Sequence, residues 1–73
     1  MGKKVKIKIK FVGGFNKTED VVEVDEKYTY VKLLESLKIN PETVVVVKDG
    51  LPVPTDETVS EGEITLIRVI SGG

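Results

Sequence analysis

The sequence predicts an α+β fold of two layers, with one helix crossing one face of a small sheet. Three observations predict it. Apolar residues recur every second position near the start, at helical spacing between Thr29 and Asn40, and as nearly unbroken β-rich runs in the second half. A strand pair, then a helix, then a second group of strands gives a two-layer domain around one core.

Val5, Ile7, Ile9 and Phe11 alternate with Lys4, Lys6, Lys8 and Lys10, the pattern of a strand with one buried and one wet face. Gly13-Gly14 through Asn16 interrupts it with residues that tolerate positive φ, and Val22 and Val24 resume it against Glu23 and Asp25, so the chain opens with a hairpin. Tyr30, Leu33, Leu34 and Leu37 then fall at i, i+3, i+4 and i+7, the stripe of an amphipathic helix, with Thr29 as its N-cap. Asn40-Pro41 is expected to end that helix, because the residue before a proline is pushed out of the α region. Val44 to Val47 are four β-branched residues without polar alternation. Such a strand has both faces occupied, or one face awaiting a partner. Asp49-Gly50 marks a turn, and Pro52 and Pro54 assign the short strand Leu51 to Pro54 to a sheet edge. Glu61-Gly62 gives the last turn. Ile64 to Ile70 is apolar except at Thr65 and Arg68 and reads as a central strand. Helix stripe and inward strand residues (Val5, Ile7, Ile9, Val22, Val24, Ile64, Leu66) form the expected core.

At 73 residues the chain is one domain, and a domain of this size buries only about 60% of the surface its unfolded chain exposes. It holds no Cys and no His, which removes disulfides, the usual structural zinc ligands, thiol nucleophiles and imidazole proton transfer. Eleven Lys and Arg against twelve Asp and Glu leave a formal net charge of −1, which weighs against nucleic acid as the main partner. Nor do the four aromatic residues interleave with the lysines as a stacking platform requires. No apolar run approaches the roughly 18 residues of a membrane span, and no signal-peptide core follows the lysine-rich start. Lys6 stands where a myristoylation motif wants Ser or Thr, and the sequon Asn16-Lys17-Thr18 reads as a turn. The expectation is a soluble, cytoplasmic protein without a membrane partner.

The element order, together with "DVVEV", "TYVKLLESLKI", "NPETVVVVKDGLPV", "EGEITLI" and the closing Gly72-Gly73, resembles the ubiquitin-like β-grasp fold. The resemblance covers essentially the whole chain and is specifically to the sulfur-carrier branch: the molybdopterin synthase small subunit, the thiamine sulfur carrier and the small archaeal modifier proteins. It implies one mixed sheet of four to five strands with one helix packed across it, residues 1–70 as the domain, and 71–73 as a flexible Ser-Gly-Gly tail. Two departures stand out. Arg68-Val69-Ile70 occupy positions where the molybdopterin type carries prolines, which weakens that assignment, and Asp49-Gly50 replaces the family's usual Asn-Gly turn.

The resemblance also implies a chemistry at the tail. The main-chain carboxylate of Gly73 is adenylated by an E1-like enzyme that uses Mg-ATP, and a sulfur donor then displaces AMP to leave a thiocarboxylate. A sulfur-accepting enzyme takes that sulfur into tRNA thiolation, thiamine or a pterin cofactor. Ser71 and Gly72 thread the partner's channel, where a glycine without Cβ can approach closely. The chain itself is then no enzyme and binds no cofactor; it is a substrate and carrier. Two alternatives stay open: a modifier joined through Gly73 to target-protein lysines, and a plain interaction domain with no terminal chemistry. Taken alone, the two glycines read as a frayed end.

In the fold so implied, the last strand lies between the first and third. Thr65, Ile67 and Val69 then share an outward face with Val45, Val47 and Lys8, an apolar patch beside a lysine stripe and the expected docking surface for the activating partner. The plainer readings are a solvated strand face for the lysines and β propensity or a homodimer contact for the valines.

Overall fold

The computed structural model describes residues 2–69. Its elements are β1 (Lys4–Val12), β2 (Glu19–Asp25), α1 (Tyr30–Ser36), a 3-10 turn at Pro41–Thr43, β3 (Val44–Lys48), β4 (Leu51–Val53) and β5 (Gly62–Arg68). The strands form one mixed sheet in the order β2-β1-β5-β3-β4. β1 is antiparallel to β2 and parallel to β5, and β3 is antiparallel to both β5 and β4. The apolar last strand is therefore central, as expected, and the three-residue β4 with Pro52 is an edge.

One face of the sheet carries the core. Ile7, Ile9 and Phe11 of β1, Val44 and Val46 of β3, and Ile64 and Leu66 of β5 are buried together with Tyr30, Leu33 and Leu34 of α1. Parity decides this, since alternate strand residues point to one face. Val5, Val22 and Val24 point the same way but are only partly buried, because β2 is an edge strand and α1 is seven residues long. Val59 completes the cluster at 5% exposure. Phe11, Val44, Val46 and Val59 all lie outside the core expected from the sequence: the unalternating valines leave the inward face of β3 undecided, and the surroundings of Val59, Thr58, Ser60 and Glu61, are polar and carry no period. The place of Val59 is secured by a hydrogen bond from its N–H to the Tyr28 carbonyl, 2.8 Å, beside the bridge Thr29–Thr58.

The start of α1 matches the expectation. Thr29 is extended (φ −98°, ψ 165°) and its hydroxyl accepts from the Lys32 N–H at 3.2 Å. The first two helical N–H groups, of Tyr30 and Val31, donate to the carbonyls of Glu57 and Thr55. These bonds fix the helix to the 54–61 segment and satisfy donors that a helix leaves orphaned. The end of α1 differs from expectation. It stops at Ser36, ahead of Asn40-Pro41, because Lys38 adopts the left-handed conformation with φ 62°. Lys38 N–H bonds the Glu35 carbonyl and Ile39 N–H the Leu34 carbonyl, the paired bonds of a Schellman cap. Asn40-Pro41 instead starts the 3-10 turn, with the Asn40 side chain accepting from Glu42 N–H.

The remaining turns follow their residues. Asp49 (φ 54°) and Gly50 (φ 78°) connect the paired residues Lys48 and Leu51 as a two-residue hairpin loop, the geometry an Asp-Gly pair favours. The final strand was expected to reach Ile70. Regular pairing ends at Arg68, one further bond runs from Val69 N–H to the Thr43 carbonyl, and Ile70 lies outside the described residues.

Candidate functional site

With β5 between β1 and β3, the residues of these strands that point away from α1 meet on one open face. The register sets Val12, Ile67 and Val45 side by side in one cross-strand row, and Lys10, Thr65, Val47 and Pro52 in the next. Of the expected docking residues, Val45, Val47, Thr65 and Ile67 are thus direct neighbours and half-buried by one another. Val69 continues the parity just past β5 and is 56% exposed. β-Branched side chains packed across strands shield each other while leaving their tips to solvent. The result is a contiguous apolar surface with no second layer of this chain upon it among the described residues.

Two members of the patch were not expected. Val12, 48% exposed, extends the β1 alternation one step past Lys10, so its parity was readable, but the opposing Ile67 was needed to show what it joins. Pro52 enters through its pairing with Val47, a register that periodicity does not supply.

Lys8 is placed differently from the rest. It lies one row away from Thr65, opposite Glu63 on β5 and Val21 on β2, and its Nζ is 3.9 Å from the Glu19 carboxylate. Lys10 reaches Glu63 at 3.4 Å. The register also sets Glu23 opposite Lys6 and Asp25 opposite Lys4. The lysine stripe is therefore interleaved with carboxylates on both flanking strands, and the rim of the patch is of mixed charge. Each exposed pair contributes little to stability, ~0–1 kcal/mol. Together they cancel the uniform positive field that a bare stripe would project.

The patch reaches the end of β5, where the chain continues from Val69 toward its last residues. Ser71, Gly72 and Gly73, the residues expected to be threaded and activated, lie outside the described residues. No helix among the described residues is long and apolar enough to cross a membrane.

Comparison with known proteins agrees with this geometry. The fold matches a ubiquitin from Caldiarchaeum subterraneum with a TM-score of 0.71 and 26% identity, over 97% of this chain and all of that one. It also matches the UBL domain of Dsk2 from Plasmodium falciparum, TM-score 0.67 at 21% identity, over 90% of this chain and 99% of that one, a likeness of fold. In sequence, an uncharacterised protein of Archaeoglobus fulgidus is 58% identical over 69 residues, which is 94% of this chain and the whole of that protein. Small archaeal modifier protein 2 of Haloferax volcanii is 38% identical over 52 residues, 71% of this chain and 79% of that protein. Residues 5–70 match the sequence family described as small archaeal modifier protein 2. The mixed five-stranded sheet, the single crossing helix of the described residues and these matches agree, and the chain belongs to the small archaeal modifier protein 2 family, ubiquitin-like proteins that are acted on by an E1-like activating enzyme and are not themselves enzymes.

Proposed function

We propose that this chain is a sulfur carrier that is activated at Gly73. The observation that carries the reading is the Ser71-Gly72-Gly73 sequence a few residues beyond the central strand of a ubiquitin-like modifier fold. In the proposed sequence an oxygen of the Gly73 carboxylate attacks the α-phosphorus of Mg-ATP held by the E1-like partner, and pyrophosphate leaves. Hydrosulfide, or its equivalent on a donor enzyme, attacks the acyl carbon of the adenylate. AMP departs and a thiocarboxylate remains, ready for a sulfur-accepting enzyme of tRNA thiolation or of thiamine or pterin synthesis. Gly72 supports the reading because a residue without Cβ lets the tail enter a narrow channel in conformations closed to other residues. The partner supplies proximity and orientation. The apolar face of Val45, Val47, Thr65, Ile67 and Val69 is the docking surface in this reading, and its mixed-charge rim, Lys8 included, sets orientation.

A second reading has its own support, since the Haloferax relative is named a modifier. The same adenylate, attacked by a lysine amine in place of sulfide, gives an isopeptide bond and releases AMP. One experiment separates the outcomes. The protein is incubated with an E1-like enzyme of its own source organism, Mg-ATP and sulfide, beside a chain lacking Gly73, and intact masses are compared. Exchange of one oxygen for sulfur in the full chain alone is the expected result. A chain that consumes ATP yet gains no sulfur, while Val-Ile-Ser-Gly-Gly remnants left by tryptic cleavage after Arg68 appear on target lysines, establishes the modifier reading instead. No dependence of either product on Gly73 overturns both.

A further inference from the structure

On the helix side of the sheet, away from the apolar patch, a cleft of about 300 Å³ opens between the β1–β2 turn, the residues just after α1 and the end of β5. Its apolar walls include Phe11, Phe15 and Ile39, with the two rings 5.1 Å apart and inclined at 55°. Its charges are Lys17, Lys38 and Arg68, and no carboxylate lines it among the described residues. In a chain of net charge −1 that is a local concentration of one sign.

The three cations are not equivalent. Lys17 donates to Asp20 at 2.7 Å. That hydrogen bond, with the Val21 N–H, holds the Asp20 carboxyl below its ordinary pKa, so Lys17 already has its anion. Lys38 stands at the cleft because the Schellman cap turns it there. Arg68 is half-buried, and its guanidinium lies 4.4 Å over the Phe15 ring. Its Nε is buried without a hydrogen-bond partner, and among the described residues no carboxylate pairs with it. An arginine stacked on an aromatic face keeps its in-plane N–H edge for a carboxylate. Because Nε–H is unpartnered, turning the guanidinium toward an incoming anion sacrifices no existing hydrogen bond.

We infer that this cleft is a binding site for an acidic peptide segment, in which a Glu or Asp carboxylate pairs with Arg68 and Lys38 and an adjacent apolar side chain packs on Phe11, Phe15 and Ile39. The apolar walls favour a side chain with an aliphatic neighbour over a bare inorganic anion. With three cations, one of them already paired to Asp20, the cleft offers charge for a short local anion and not for an extended polyanion such as a nucleic acid. The inference rests on the cleft's own residues and not on the chemistry proposed at Gly73.

The test is an NMR titration of the isotope-labelled full chain with a blocked Asp-Leu-Glu-Leu-Asp peptide, following the Arg68 Nε–H and the Phe15 and Ile39 amides. The uncharged Asn-Leu-Gln-Leu-Asn peptide, inorganic phosphate and a short single-stranded oligonucleotide serve as comparisons. Saturable shifts converging on these three residues are expected, with affinity about tenfold weaker or worse for the uncharged peptide and for Arg68→Gln. Phe15→Leu is expected to weaken binding while keeping the preference for the acidic peptide. Dispersed amide spectra verify that each variant is folded. Equal binding of the uncharged peptide, tighter binding of phosphate or oligonucleotide, or binding that emerges only when residues 70–73 are removed overturns the assignment; the last result would give the cleft to this chain's own end.

Discussion

Gly13 has φ +99°, and a Cβ on it would stand 3.2 Å from both the Cβ and the carbonyl oxygen of Arg68. Two independent demands therefore fall on one residue, a left-handed backbone and a close approach to the end of β5. Gly14 shares the first (φ +93°) but has open space around it. Gly13→Ala is expected to destabilise the fold by roughly 2 kcal/mol and Gly14→Ala by roughly 1 kcal/mol, measured by urea denaturation, because the first adds a steric shift to the backbone strain. Lys38 offers the opposite case. A lysine at φ 62° carries strain that glycine lacks, so Lys38→Gly is expected to gain about 1 kcal/mol in the same assay. Gly13-Gly14 could be read from the sequence as a turn, but nothing local marked Lys38. Its conformation follows from Ile39, which packs against the core and draws the chain out of the helical path.

Each outward residue of β3 and β5 faces a neighbour across the strands, and the elements give the patch its identity. Val45→Lys places a charge beside Ile67, in the row that continues to Val12, on the open face opposite the buried side chains of Val44 and Val46. Stability is expected to fall by about 1 kcal/mol, because the half-buried Val45 loses its cross-strand packing on Ile67, and circular dichroism checks that the variant is folded. Activation by the E1-like enzyme, followed as ATP-dependent pyrophosphate exchange, is expected to show a KM raised about tenfold or more. Val21→Lys, on the same sheet face but in the row of Lys8 and 53% exposed, is expected to leave that KM unchanged. Equal losses for both variants would mean that general charge, and not the patch, governs docking. Much of the patch was legible, because period-two parity places Val45, Val47, Thr65, Ile67 and Val69 on one side once the strand order is known. The carboxylates that flank Lys8 and Lys10 were not, since Glu19 and Glu63 meet them only through register.

The whole molecule rests on a small core. Eleven apolar side chains are buried among the described residues, and no polar or charged residue is buried with them. Without disulfides, each of these side chains matters more than it would in a larger domain. Leu34 is fully buried at the centre of the helix face, and its truncation to alanine typically costs ~2–5 kcal/mol. That approaches the entire margin of a domain this size, roughly 5 kcal/mol. Leu34→Ala is therefore expected to be substantially unfolded at the growth temperature of a mesophile or to melt far below the parent, read by circular dichroism. A change of only a few degrees would mean that the site collapses or that the parent is unusually stable.

The sequence by itself determined the order of the elements, the identity of most core residues, the N-cap at Thr29, the glycine turns and the edge character of the proline-bearing strand. All of these depend on contacts within a few residues or on the period of a single segment, so the information is local. Only the tertiary structure decided that Val59 is buried, that α1 closes at Ser36, that the lysine stripe is charge-balanced, and that Arg68 crosses to Phe15. The charge balance follows from the register of β1 with β2 and with β5, the Arg68 contact from the approach of β5 to the β1–β2 turn, and the burial of Val59 from its bond to Tyr28. The close of α1 uses bonds between near neighbours, but the packing of Ile39 on the core selects it. No period within one segment records the partner it meets.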